Sequence, residues 1–264
     1  MFSSSILCAL TLVQIPARRF IITFATPDHN DAAKLLIKSF LDVGRFDGFQ
    51  IFSLSDLDVD FRTRNENILS QKRGAGYWLY KPYILHKFIY LNATEDDEVC
   101  YSDARYQLLQ NPDALMRRWF NGSFVALMGK KPNMAMFYER NWSKRDAFIL
   151  MNSNETHARV TRPIQLWAGF VCFKKCFATF QFLAEWLVYC QDKRIIDDSR
   201  SILGAEFGDV TENRHDQTIL SLLSKRWNLK FHFISESVLE NRKNKLDMTV
   251  NDAKKKFNFT DDTF

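Results

Sequence analysis

Three places in this chain put reactive side chain types where they can do chemistry: Lys81, Asp103 and the pair Asp216-Gln217. Asp103 follows Val99-Cys100-Tyr101-Ser102, so it is a carboxylate at the tip of a predicted strand. Such a carboxylate can hold a cation or a ligand hydroxyl. Its commoner role is to accept bonds from the backbone amides of a turn. Asp216 and Gln217 precede Ile219, Leu220, Leu222 and Leu223, the apolar face of a predicted helix. One role open to Asp216 is helix N-cap. Its neighbours Arg214 and His215 open another, because a cation, an imidazole, a carboxylate and an amide then meet at one helix start. Lys81 is the lone cation in the aromatic-rich run from Tyr77 to Tyr83. Either its stem lies along an apolar surface or its ammonium is aimed at phosphate or sugar oxygens. Gly74 and Gly76, just upstream, match neither a Walker nor a dinucleotide fingerprint.

The elements that must position these residues read as an α/β succession. Arg19 to Thr26 is a predicted buried strand, broken by Pro27-Asp28-His29-Asn30. Ala32 to Leu41 has helical spacing, with Ala33, Leu36, Ile37 and Phe40 on one face, and Gly48 to Leu54 is a second strand. Strand, helix, strand is the signature of a parallel sheet with a crossover. Helical periodicity returns over Tyr77 to Leu91, Ala114 to Phe120, Phe177 to Cys190 and Thr218 to Trp227. In Phe177 to Cys190 the expected buried face is Phe180, Leu183, Ala184 and Leu187. Further strands are expected at Glu98 to Ser102, Ser123 to Met128, Gln165 to Phe173 and Lys230 to Ile234. In such sheets ligands bind beyond the carboxyl ends of the strands. That rule selects the turn after Thr26, the turn after Ser102 and the polar segment before Thr218. Residues 129–163 lack a clear period and have the length of a binding loop. Their aromatics Phe137, Tyr138 and Trp142 are either a sugar-stacking acceptor region or simply the packing of that loop.

Composition bounds the rest. The 264 residues carry a net charge of +5, mixed along the chain, without the basic stripe of a nucleic-acid binder. The 24 Phe and 9 Gly suit a bulky core rather than disorder. The cysteines Cys8, Cys100, Cys172, Cys176 and Cys190 are odd in number and include no CxxC, so neither a disulfide framework nor a zinc site is expected. Ile6 to Ile15 is apolar but shorter than the ~20 residues of a membrane span, and no basic residue precedes it. Membrane association is therefore expected only through the N-terminus, and the cytoplasm is favoured. Sequons at Asn92, Asn121, Asn141, Asn154 and Asn258 keep a Golgi or ER lumen open. The division expected is an extension over 1–19, one domain over 20–240 and a polar tail over 241–264.

Five segments in order carry a resemblance. Phe24-Ala25-Thr26-Pro27-Asp28, Tyr80-Lys81, Tyr101-Ser102-Asp103-Ala104-Arg105, Trp167-Ala168-Gly169 and Asp216-Gln217 resemble the site segments of GT-A fold glycosyltransferases, especially retaining enzymes of the family 8 kind. The likeness extends to related microbial and viral sugar transferases. It implies a Rossmann-like GT-A fold with a mixed, mostly parallel central sheet flanked by helices. It also implies transfer of a sugar from a nucleotide-diphosphate donor to a hydroxyl on a glycan or glycoconjugate, with retention. By the same resemblance Thr26, Asp28, Lys81, Asp103 and Arg105 bind the donor, and Asp216 and Gln217 face the sugar as catalytic residues. Asp103 would be a ligand to Mn²⁺ or Mg²⁺. Here the sequence departs from the family, because Arg105 replaces the second aspartate of the Tyr-x-Asp-x-Asp motif and no late metal-binding histidine is evident. Arg105 therefore motivates a rival reading, a catalytically inactive nucleotide-sugar-binding module of the same fold. A nucleotidyltransferase would need a Gly-rich basic loop after the first strand, and Thr26 to Asn30 lacks one.

Overall fold

The computed structural model describes residues 16–129, 138–153, 163–206 and 210–242. Phe137, most of the expected N-terminal extension and nearly all of the expected tail lie outside the described residues.

The chain opens with β1 (Arg19–Phe24), a 3₁₀ turn (Pro27–His29), α1 (Asn30–Asp42) and β2 (Gly48–Phe52). Next come α2 (Tyr80–Asn92), β3 (Glu98–Ser102), β4 (Tyr106–Leu108), α3 (Asp113–Trp119) and β5 (Val125–Gly129). The second half holds β6 (Leu166–Lys174), α4 (Phe177–Cys190), α5 (Asp216–Arg226), β7 (Phe231–Phe233) and β8 (Leu239–Asn241). The expected α/β sheet is present. Its six strands run in the order β2-β1-β3-β6-β5-β7, and β4 pairs with β8 in a separate ribbon. β1 lies parallel to β2 and β3, and β5 parallel to β7, while β6 is antiparallel to both β3 and β5. The sheet is therefore mixed and mostly parallel.

Period-two alternation sends side chains to two cores. Phe20, Ile22 and Phe24 of β1 meet α2, α4 and α5, whereas Ile21 meets Leu36, Ile37 and Phe40 of α1 and Met116 and Trp119 of α3. With both faces covered, the central strands read as continuous apolar runs.

Three expectations change. Helix α4 buries Phe182, Leu183, Trp186 and Cys190, and Ala184 is exposed. The helix is apolar nearly all round, so periodicity did not select the face, and the contact with the sheet did. Residues 138–153 are not one open loop. They form helical turns at Glu139–Trp142 and Arg145–Leu150. Trp142 is buried with the Arg214 guanidinium 4.2 Å from its ring centroid, so packing is its role here. Glu139, fully buried, fixes this segment by accepting from Ser143 Oγ at 2.6 Å and Gln165 Nε2 at 3.1 Å and by pairing with Lys225.

The third correction concerns cysteine. Cys100 and Cys172 form a disulfide. They face each other in the β3–β6 register and are fully buried. A separation of 72 residues gives no hint of this pairing, which exists only because two distant strands are antiparallel neighbours. No described helix is long and apolar enough to cross a membrane.

Candidate active site

The sheet reverses its direction of growth between β1 and β3, since β2 was added on the far side of β1. At that point neighbouring loops diverge and leave a crevice. A cleft of about 420 Å³ lies there. Thr26, Asp28 and His29 enter it from the end of β1, and Asp103, Ala104 and Arg105 from the end of β3. Lys72, Gly74, Ala75 and Trp78 supply a third wall, and Phe24, Tyr80 and Tyr101 supply an aromatic floor.

The third wall has an unusual backbone. All five residues from Gly74 to Trp78 have positive φ, including Ala75 (48°), Tyr77 (53°) and Trp78 (60°). A left-handed turn costs each non-glycine residue about 1–2 kcal/mol. Packing holds it in place. Tyr77 stacks on His215 at 4.7 Å, and the Trp78 indole lies so close over Gly74 that an added Cβ there would be 2.4 Å from the ring. The turn delivers Trp78 to the cleft and starts α2, whose second residue is Lys81.

Lys81, Asp103 and Asp216 come together. The Lys81 ammonium lies 3.1 Å from Asp103 Oδ1 and 3.1 Å from Asp216 Oδ2, and it donates to the Ala168 carbonyl at 3.2 Å. Tyr101 donates its phenolic hydrogen to Asp103 Oδ1 at 2.9 Å. Lys81 and Asp216 are each 2% exposed, and neither lines the cleft; Asp103, a third exposed, is where this cluster surfaces. Burial works against the Lys81 charge, but Asp103 and Asp216 together hold its ammonium above the usual lysine range. Burial also pushes the Asp216 carboxyl up, and against the opposing pull of Lys81 it reaches about 7. Asp216 is the first residue of α5; the N-cap position before it belongs to His215, at φ 54° and with no side-chain capping bond. Gln217 accepts from the Ala168 amide at 3.3 Å and donates to Gln165 Oε1 at 2.7 Å, so it ties α5 to the start of β6.

Two residues beyond Asp103, Arg105 donates to His29 Nε2 at 2.6 Å. A guanidinium has no acceptor, so that ring nitrogen must present its lone pair. The imidazole hydrogen is then on Nδ1 and is donated to Thr26 Oγ1 at 2.9 Å. Burial, reinforced by Arg105, lowers the His29 pKa and keeps the ring neutral. Thr26, Asp28, Asp103 and Arg105 thus line the cleft, while Lys81, Asp216 and Gln217 stand behind it. Sequence reasoning missed His29, which reads as part of a strand-breaking turn, and did not single out Lys72. Gly74 and Gly76 mark a turn in the sequence, but they do not announce that Ala75, Tyr77 and Trp78 share its left-handed backbone.

Asp103 is the metal ligand expected from the sequence, and its surroundings are cationic. Asp103 Oδ1 already meets a phenol and an ammonium, and a guanidinium occupies the position two residues on. Among the described residues no group of three or more His, Cys, Asp or Glu side chains is placed to hold a metal ion.

No family model matches the chain, and no curated protein matches it. Three solved structures with a similar chain path are glycosyltransferases. One is the apo structure of WbbM, a bifunctional glycosyltransferase, at TM-score 0.48 and 13% identity over 84% of this chain. This chain spans 40% of the WbbM chain. Apo mouse xyloside xylosyltransferase 1 is similar at TM-score 0.42 and 10% identity, covering 83% of this chain and 85% of that one. The galactosyltransferase LgtC, in complex with donor and acceptor sugar analogs, is similar at TM-score 0.39 and 13% identity, covering 77% and 70%. At these scores the likeness is one of chain path, and it assigns neither donor nor acceptor.

Proposed function

We propose that this chain is a glycosyltransferase that moves a sugar from a nucleoside-diphosphate donor to a hydroxyl group on a glycan or glycoconjugate. One observation carries the reading: the switch-point cleft combines an aromatic floor, a rim cation at Arg105 and a carboxylate–lysine cluster surfacing at Asp103. In this reading Thr26 and Asp28 take the nucleoside and Arg105, whose planar fork matches phosphate oxygens, takes the diphosphate. Asp103, oriented by Tyr101 and Lys81, offers an acceptor to sugar hydroxyls.

In the reaction the bond between the anomeric carbon and the diphosphate oxygen breaks, and its electron pair leaves with the diphosphate. The acceptor oxygen bonds to that carbon, and its proton passes to the departing phosphate oxygen. Charge building on the leaving group is what a fixed cation stabilises. Retention of configuration is the favoured outcome. Asp216, the carboxylate that inversion would use as its general base, is enclosed and held by Lys81. Asp216 and Gln217 then act from behind the cleft, Asp216 by holding Lys81 and Gln217 by fixing Ala168.

The test is incubation with a panel of nucleotide sugars and simple glycoside acceptors, following release of nucleoside diphosphate and the stereochemistry of the product. Turnover that drops at least tenfold in Asp103→Asn, with melting temperature retained, supports the reading. Donor binding without turnover of any kind would make the chain a binding module instead.

A further inference from the structure

The charge balance of the cleft singles out a pair of residues. Lys81, the cation most visible in the sequence, is paired with Asp103 and Asp216 and sits behind the wall. Two other cations line the cleft, Lys72 and Arg105. Neither has a carboxylate partner within ion-pairing distance among the described residues. Arg105 is instead held by a neutral imidazole, which fixes its direction without cancelling its charge. Arg73, next to Lys72, is fully engaged with Asp198 at 3.0 Å and Glu212 at 2.8 Å. Lys72 is exposed, and it precedes the left-handed turn that forms the third wall. The cleft carboxylates are Asp103, already matched by Lys81, and Asp28, exposed on the rim. The same cleft is lined by Trp78, Tyr80, Phe24 and Tyr101, flat surfaces suited to a base or a sugar face.

Two unmatched cations beside an aromatic floor make a site for a compact anion attached to a flat group. They also supply the charge that the absent carboxylates of a metal site would otherwise recruit. We propose that Lys72 and Arg105 clamp the donor's diphosphate between the β3 loop and the left-handed turn, and that this chain binds nucleoside diphosphates without a divalent cation. The proposal rests on the transferase reading above and names the charges that serve it.

Isothermal titration of the purified chain with UDP, ADP, GDP, CDP and inorganic pyrophosphate tests it, each in EDTA and again in Mn²⁺. The expected result is binding of at least one nucleoside diphosphate in EDTA, with affinity changed less than about twofold by Mn²⁺. Arg105→Ala and Lys72→Ala should each weaken that binding about tenfold or more, the usual worth of a charge-assisted bond. Lys193→Ala, the same loss of charge at an exposed position on the helical turn Lys193–Ile196, should leave it unchanged. Arg105→Lys should recover part of the loss, which a purely structural role for Arg105 would not produce. Binding that appears only with Mn²⁺, or a Lys72→Ala variant that behaves like Lys193→Ala, overturns the clamp and leaves the transferase reading standing. A wild-type chain that binds none of the five probes in either buffer removes the transferase reading, and the clamp with it.

Discussion

Asp216 is the residue at which two opposing forces can be weighed by experiment. Burial disfavours its charge and Lys81, 3.1 Å away, favours it; burial prevails, and the carboxyl rises from an ordinary 3.8 to about 7. Between those two values the folded chain binds a proton that the unfolded chain has released. Stability must therefore fall as pH rises through that window. A shift of about three units at about 1.4 kcal/mol each makes the full loss about 4 kcal/mol, reached above pH 7. His215, buried against the Ile196 carbonyl and lowered to about 4, slopes the other way, since its stability contribution is lost as pH falls from 6.5 toward 4. A comparison between wild type and Asp216→Asn cancels that slope and all others not linked to Asp216. The assay is urea unfolding of both proteins at several pH values from about 4 to about 8.5. Relative to the variant, wild type should lose about 4 kcal/mol across that range. A flat difference would mean that Lys81 fully offsets burial. A difference of opposite sign would mean an ordinary salt-bridged carboxylate, and the account of this cluster would be wrong.

Two further outcomes follow from the fold. Gly76→Ala should destabilise the chain by about 2 kcal/mol or more in urea unfolding, because the residue sits at φ 94° and its Cβ would lie 2.7 Å from the Leu69 Cα; unchanged stability would show that the left-handed turn does not exist. The Cys100→Ala, Cys172→Ala double variant should lose about 4 kcal/mol, the entropy of a cross-link spanning 72 residues. Alkylation of both cysteines in the denatured, unreduced wild type would show that the bond is absent.

How much of this was legible in the residue order varies with the physics behind each feature. The alternation of apolar runs with helical periods is local, and it suffices for the α/β succession over β1, α1 and β2. Strand tips are local too, so the residue order alone puts Thr26, Asp28 and Asp103 at the carboxyl edge. The meeting of Asp103 with Asp216 followed from the switch-point rule and from a resemblance rather than from spacing.

Other features are set by three-dimensional neighbours. Whether a lysine is a free cation depends on which carboxylates surround it, and the chain order shows Lys81 as the conspicuous charge and Lys72 as an ordinary one. The structure reverses those roles: two carboxylates more than a hundred residues apart close on Lys81, while Lys72 and Arg105 keep their charge at the cleft. The buried face of α4 and the Cys100–Cys172 bond have the same origin. Sequence determined which segments become strands and helices, because backbone preference and apolar period act over a few residues. Tertiary structure decided which charges are neutralised and which stay available, because desolvation and pairing depend on groups brought close only by folding.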